Sequence, residues 1–86
     1  MSEEELAEIG RITHFFSKIS VAVIELKASL KVGDTIVIKG PTTDFQQVVD
    51  SMQIEHENVQ TAIAGQSIGL RVVQRVRETD AVFKKL

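Results

Sequence analysis

The chain has no cysteine, no tryptophan, no tyrosine and a single proline, Pro41. Without cysteine there is no disulfide, no thiolate nucleophile and no sulfur-ligated metal, which suits a reducing cytoplasm. No apolar run approaches the ~20 residues needed to span a bilayer as a helix. The start, Met1-Ser2-Glu3-Glu4-Glu5, is acidic, the opposite of a basic signal-peptide start. The expected location is therefore cytoplasmic, with no membrane partner.

The motifs of common chemistries are missing as well. There is no G-x-x-x-x-G-K-[ST] for a nucleoside triphosphate and no G-x-G-x-x-G for a dinucleotide. His14 and His56 lie far apart, without metal-ligand spacing around them. No nucleophile elbow surrounds any serine. One cluster, Glu55-His56-Glu57, has the residue types for a base oriented by a carboxylate. Its polar setting favours a solvated surface loop instead. The expectation is a chain that is not an enzyme, with no metal and no cofactor.

What is present is one small domain's worth of β-forming sequence. Its 86 residues, 43% of them hydrophobic, suffice for a single core. The net charge is −2, with four of the twelve acids in the first eight residues. Beyond them ten basic residues face eight acidic ones, a net +2. This balance does not predict general nucleic-acid binding, and no DNA partner is expected. Residues 1–8 read as a frayed acidic leader with a capping-box start at Ser2, and 9–86 as the domain.

The pivotal stretch is Leu30 to Gly40. Gly33 can adopt a positive φ, and Asp34 can bond back onto the turn, so the first half reads as a sharp corner. Thr35 to Lys39 then alternates as a half-buried strand, Ile36 and Ile38 inward. Ile9 to Phe16 reads as the first strand, and Ile19 to Leu26 as the second, with Ala22, Ile24 and Leu26 on one face. The other face of the second strand carries Val21 and Val23; with Phe15 they form an apolar outer strip. Gly40 to Asp44 is a loop. Phe45 to Ile54 reads as one long strand with a bulge or bend where the apolar parity switches between Val49 and Met52. Glu55 to Thr61 reads as irregular and Ala64-Gly65-Gln66 as a turn. Ser67 to Val76 reads as a strand, with Ile68, Leu70 and Val72 inward and Arg71, Arg75 and Arg77 aligned on the opposite parity. Gly69, inside that strand, marks a bend or a close backbone approach. Ala81 to Lys84 closes the chain. The pattern is all-β: a small closed or nearly closed antiparallel barrel of six to seven strands.

The ordered set Ile9-Gly10-Arg11-Ile12, Leu30 to Asp34, Val49 to Glu57 and Ala64 to Val72 resembles the second, β-barrel domain of the translation elongation and initiation GTPases, such as elongation factor Tu and elongation factor one-alpha. The resemblance spans Ile9 to Lys84. It implies a non-enzymatic, translation-factor-like binding module docking on transfer RNA, ribosomal RNA or a translation-associated protein. Gln53, His56, Ser67, Arg71, Arg75 and Arg77 are its candidate contacts, and Gly33, Asp34, Gly65 and Gly69 its structural turns. The chain has no G domain, so the resemblance implies no GTP binding. The sequence departs from that family at three pocket positions and one turn: Gln53 stands where the family has an acid, Ser67 replaces an asparagine, Arg71 replaces an apolar residue, and Thr79-Asp80 replaces Gly-Asp. The alternative is an accessory protein-interaction barrel serving a separate catalytic chain, such as a collagenase-like peptidase.

Overall fold

The computed structural model describes residues 5–86. It contains ten strands: β1 (Leu6–Phe16), β2 (Val21–Leu26), β3 (Leu30–Lys31), β4 (Thr35–Gly40), β5 (Thr43–Val48), β6 (Met52–Ile54), β7 (Glu57–Val59), β8 (Thr61–Ala62), β9 (Ser67–Arg71) and β10 (Ala81–Lys85). Eight of them form one antiparallel sheet in the order β5-β4-β10-β1-β2-β9-β6-β7, while β3 and β8 pair separately. The all-β class is as expected. The closed barrel is not found: among the described residues no ladder joins β5 to β7, and the strand count exceeds six to seven. No helix of the described residues is long and apolar enough to cross a membrane.

The sheet curls because β1 is kinked twice. Its register against β10 shifts between Glu8 and Gly10, and its register against β2 shifts between Ile12 and His14. Each extra residue bends a strand and reverses the parity beyond it. The second shift turns Phe15 toward the core and leaves His14 and Phe16 exposed. This corrects the placement of Phe15 on the outer strip. The concave side holds Ile9, Ile12, Ile24, Leu30, Ile36, Ile38, Met52, Ile68, Leu70 and Val82, all essentially without solvent contact.

The Gly33-Asp34 corner is tied into the sheet from several directions. Gly33 has φ +100°. Asp34 Oδ2 accepts the Lys31 N–H at 3.0 Å, and the Asp34 N–H donates to Lys31 O at 3.1 Å. Val49 then pairs with the corner itself: the Gly33 N–H donates to Val49 O at 2.9 Å, and the Val49 N–H donates to Asp34 O at 2.8 Å. These bonds divide the expected long strand 45–54 into β5 and β6. Glu55 to Thr61 is likewise ordered, with Glu55 and His56 turning β6 into β7.

The ends of the chain also differ from expectation. Leu6, Ala7 and Glu8 pair with Lys85, Lys84 and Phe83, so the described part of the leader belongs to β1. The capping box begins outside the described residues. Before β10, the Thr79 N–H donates to Ile12 O at 2.7 Å and the Ile12 N–H donates to Asp80 O at 2.9 Å, clamping the turn at 77–80 to the kink of β1. Asp80 is buried; Oδ2 accepts the Arg77 N–H at 2.9 Å, while Oδ1 has no partner and lies against Gly40.

Two stability predictions follow from this clamp. Thr79 is β-branched at φ +77°. Thr79→Gly relieves that strain and should raise unfolding stability by about 0.5–1 kcal/mol, measured by urea denaturation. A Cβ on Gly40 would overlap Asp80 Oδ1. Gly40→Ala should lower stability by about 2 kcal/mol in the same assay.

Candidate functional site

Three adjacent strands, β2, β9 and β6, present their outer faces together. On β2, Ala22, Ile24 and Leu26 take the core side, so the alternation of the strand turns Val21 and Val23 outward, where they are half-buried. Val23 pairs with Gly69, and Gly69 pairs with Gln53 on the other side. The row Val23–Gly69–Gln53 thus crosses three strands with no side chain at its middle. A Cβ at Gly69 would meet Val21 Cγ1 at 3.6 Å and Gln53 O at 4.0 Å, ordinary contacts, so the space above it is open.

Two turns wall this hollow. The β1–β2 hairpin places Phe16 and Ile19 on one side, and they remain 47% and 56% exposed. Its geometry is set by Ser20, which sits at φ +57° and whose carbonyl accepts the Val72 N–H at 2.8 Å. The β6–β7 hairpin supplies the opposite wall, turning on Glu55 and His56 at φ +51° and +69°, the left-handed pair of a two-residue hairpin. Gln53 Nε2 donates to Asn58 Oδ1 across that hairpin at 3.2 Å. Between the walls lies a mainly apolar cavity of about 420 Å³. A second, more polar cavity of about 350 Å³ continues past Gly69 to Gln47, Asp50, Ser51, Arg71 and Val73. The two share Val21, Gln53 and Gly69 and form one groove.

Of the residues singled out in the sequence, Gln53, His56, Ser67 and Arg71 border this groove. Arg75 and Arg77 do not line it. β9 itself ends at Arg71; the Val72 N–H still bonds Ser20 O in the β2–β9 register, and beyond Val73 the chain carries no strand until β10. Arg75 and Arg77 lie in that stretch, so among the described residues no strand face carries the three arginines together. Glu55 and His56 are exposed at the hairpin turn, and among the described residues no hydrogen bond joins His56 to Glu55 or Glu57. No cluster of three metal-ligating side chains occurs among the described residues. The groove offers amides, hydroxyls, one guanidinium, one imidazole, the carboxylates of Asp50 and Glu55 and an apolar floor, which are the means to hold a ligand.

Sequence reasoning missed Phe16, Ile19, Gln47 and Val73. The first two were legible only as an apolar pair flanking a turn. The last two enter through the curl of the sheet, which no local pattern reports.

No protein-family model matches the chain. It is 49% identical over 77 residues to an uncharacterized protease of Methanocaldococcus jannaschii, covering 88% of this chain and 19% of that protein. It is 36% identical over 78 residues to a collagenase of Porphyromonas gingivalis, covering 88% and 22%. The chain thus spans about a fifth of the length of the curated relatives it matches. Among solved structures, the C-terminal domain of a Geobacillus thermoleovorans protein classed with the U32 peptidases superposes with a TM-score of 0.86 at 17% identity, covering 92% of each chain. Its selenomethionine variant gives 0.84 at 16%, covering 88% and 96%. These likenesses overturn the resemblance to the translation GTPases, and with it the translation-factor role. The residues that carried it, Ile9 to Ile12, the Leu30 to Asp34 corner, Val49 to Glu57 and the turn and strand from Ala64 to Val72, are turn and strand signals that this topology needs whatever it binds. The fold is that of the Geobacillus C-terminal domain, and the sequence is similar to a segment of peptidase-like proteins.

Proposed function

We propose that this chain is a non-catalytic polypeptide-binding domain of a peptidase-like protein, with the groove over Gly69 as its binding surface. The observation that carries this reading is the open space over Gly69, in the middle of the row Val23–Gly69–Gln53, between the exposed Phe16 and Ile19 and the β6–β7 hairpin. Apolar side chains held out of the core around a concave floor are what a ligand surface requires. The similarity to proteins named protease and collagenase supports an unfolded or extended polypeptide as the ligand. Gln53, His56, Ser67 and Arg71 border the groove and contact the bound chain in this reading. Peptide-bond hydrolysis belongs to the larger remainder of such proteins, which replaces the separate catalytic chain of the sequence-based alternative. The absence of cysteine supports a cytoplasmic setting. The reach of Gln47 from β5 to the end of β9 supports describing the curled sheet as a nearly closed barrel.

The test is an NMR titration of the labelled chain with denatured collagen fragments and with a capped eight-residue peptide alternating valine and serine. Amide shifts should cluster on Val21, Gln53, Gly69 and Arg71. Gly69→Leu fills the floor from the solvent side; it should leave the melting temperature unchanged and weaken binding at least roughly tenfold. Undiminished binding by that variant would remove the groove from consideration. Ile19→Ser should weaken the same peptide several-fold while the melting temperature stays within about 4 °C, since a solvent-exposed side chain contributes little to folding.

A further inference from the structure

At the polar end of the groove, one side chain occupies a place that elsewhere in the sheet belongs to a strand. The carboxamide of Gln47 on β5 is bonded twice to the backbone leaving β9. Its Nε2 donates to Arg71 O at 2.9 Å, and its Oε1 accepts the Val73 N–H at 2.9 Å. The intervening Val72 N–H points the other way, to Ser20 O. Arg71 O and Val73 N–H therefore flank one site on one side of the chain. That spacing, a C=O and the N–H two residues on, is what a single residue of a parallel strand engages with its own N–H and C=O.

The space for such a strand is present. The pairing between β6 and β9 consists of Gln53 and Gly69 alone, so beyond Gly69 the two strands part. The cavity of about 350 Å³ opens there, bordered by Gln47, Asp50, Ser51, Gln53 and Arg71, and runs on over Gly69 to Val21. Val73, 69% exposed, lies at its mouth. Outside this pair of bonds, nothing among the described residues extends the ladder of β9 on this side.

We infer that Gln47 holds the place of an extended polypeptide, and that the ligand of this groove binds by strand addition: it displaces the Gln47 carboxamide and pairs in parallel with Arg71 to Val73. This rests on the polypeptide-binding reading above and specifies its ligand as backbone in extended form, recognised through main-chain groups and therefore broadly tolerant of sequence. Displacement costs no unpaired group in the protein. Arg71 O and the Val73 N–H exchange one partner for another, and the released carboxamide is hydrated.

The experiment uses the same valine–serine peptide and two twins, N-methylated at every second residue in one phase or the other. An added strand aims alternate N–H groups at the protein, so one phase of methylation should abolish binding and the other spare it. The wild-type titration should move the Gln47 side-chain NH₂ signals together with the Val73 amide. Gln47→Ala removes the internal competitor and should tighten binding roughly fivefold or more. Gln47→Glu keeps the acceptor for the Val73 N–H but removes the donor to Arg71 O. It should tighten binding by a smaller factor, and serves if the alanine variant does not fold. Binding that is indifferent to the phase of methylation, or unmoved Gln47 NH₂ signals on saturation, would overturn strand addition while leaving the groove reading standing. So would a folded Gln47→Ala that binds the peptide no more tightly, marking Gln47 as a structural clasp. Absence of peptide binding to every folded form would overturn both.

Discussion

The double kink of β1 is the constraint on which the rest of this structure depends. A regular eleven-residue strand would hold its neighbours in a gently twisted sheet. The two register shifts, at Glu8–Gly10 and Ile12–His14, let one strand serve β10 along its first part and β2 along its second while bending between them. The bend is held from outside by Thr79 and Asp80, which exchange backbone hydrogen bonds with Ile12. It brings the β5 side of the sheet round far enough for Gln47 to touch the end of β9. The core and the groove are the two faces of this one curl.

Strain and function meet at the turns. Among the described residues, four other than glycine adopt positive φ: Ser20, Glu55, His56 and Thr79. Three of them shape the walls of the groove, and the fourth clamps the kink that creates it. Such conformations cost free energy and persist where the surrounding structure over-determines them. Here the surroundings do so through the Ser20 carbonyl bonded to Val72, the β6–β7 ladder and the Thr79 amide bonded to Ile12. The apolar groups between those walls contribute nothing to the core, which is complete without Phe16 and Ile19.

The resemblance to translation GTPases failed for a physical reason. Its shared features were the strand start at Ile9 to Ile12, a glycine corner with an Asp that bonds back onto it, the stretch from Val49 to Glu57, and an alternating strand after a second glycine turn. Those features specify a route for the chain and say nothing about a ligand. The residues that would have carried RNA recognition, three arginines on one strand face, depended on a strand running to Val76. The strand stops at Arg71: the Val72 N–H makes a last bond to Ser20 O in the β2 register, and the chain then leaves the sheet before Arg75 and Arg77. Similarity at 49% and 36% identity points instead to a segment of peptidase-like proteins.

By itself the sequence determined the all-β class, the Gly33-Asp34 corner and the inward set on β2 and β9, because these rest on local alternation and on turn chemistry read within a few residues. It marked Gly69 as a bend or a close backbone approach, where the tertiary structure instead leaves open space. Only the tertiary structure decided that Phe15 turns in and Phe16 out, since a one-residue bulge at Thr13 reverses parity without any local signal. The same holds for the division of residues 45–54, where Val49 leaves its strand to pair with a corner sixteen residues earlier. Gln47 is the extreme case: it is one polar residue of a half-exposed strand, and its role exists because the curl of the sheet sets it against a backbone 24 and 26 residues away. Contacts of that separation follow from how the strands are arranged, and a pattern read along the chain carries no record of them.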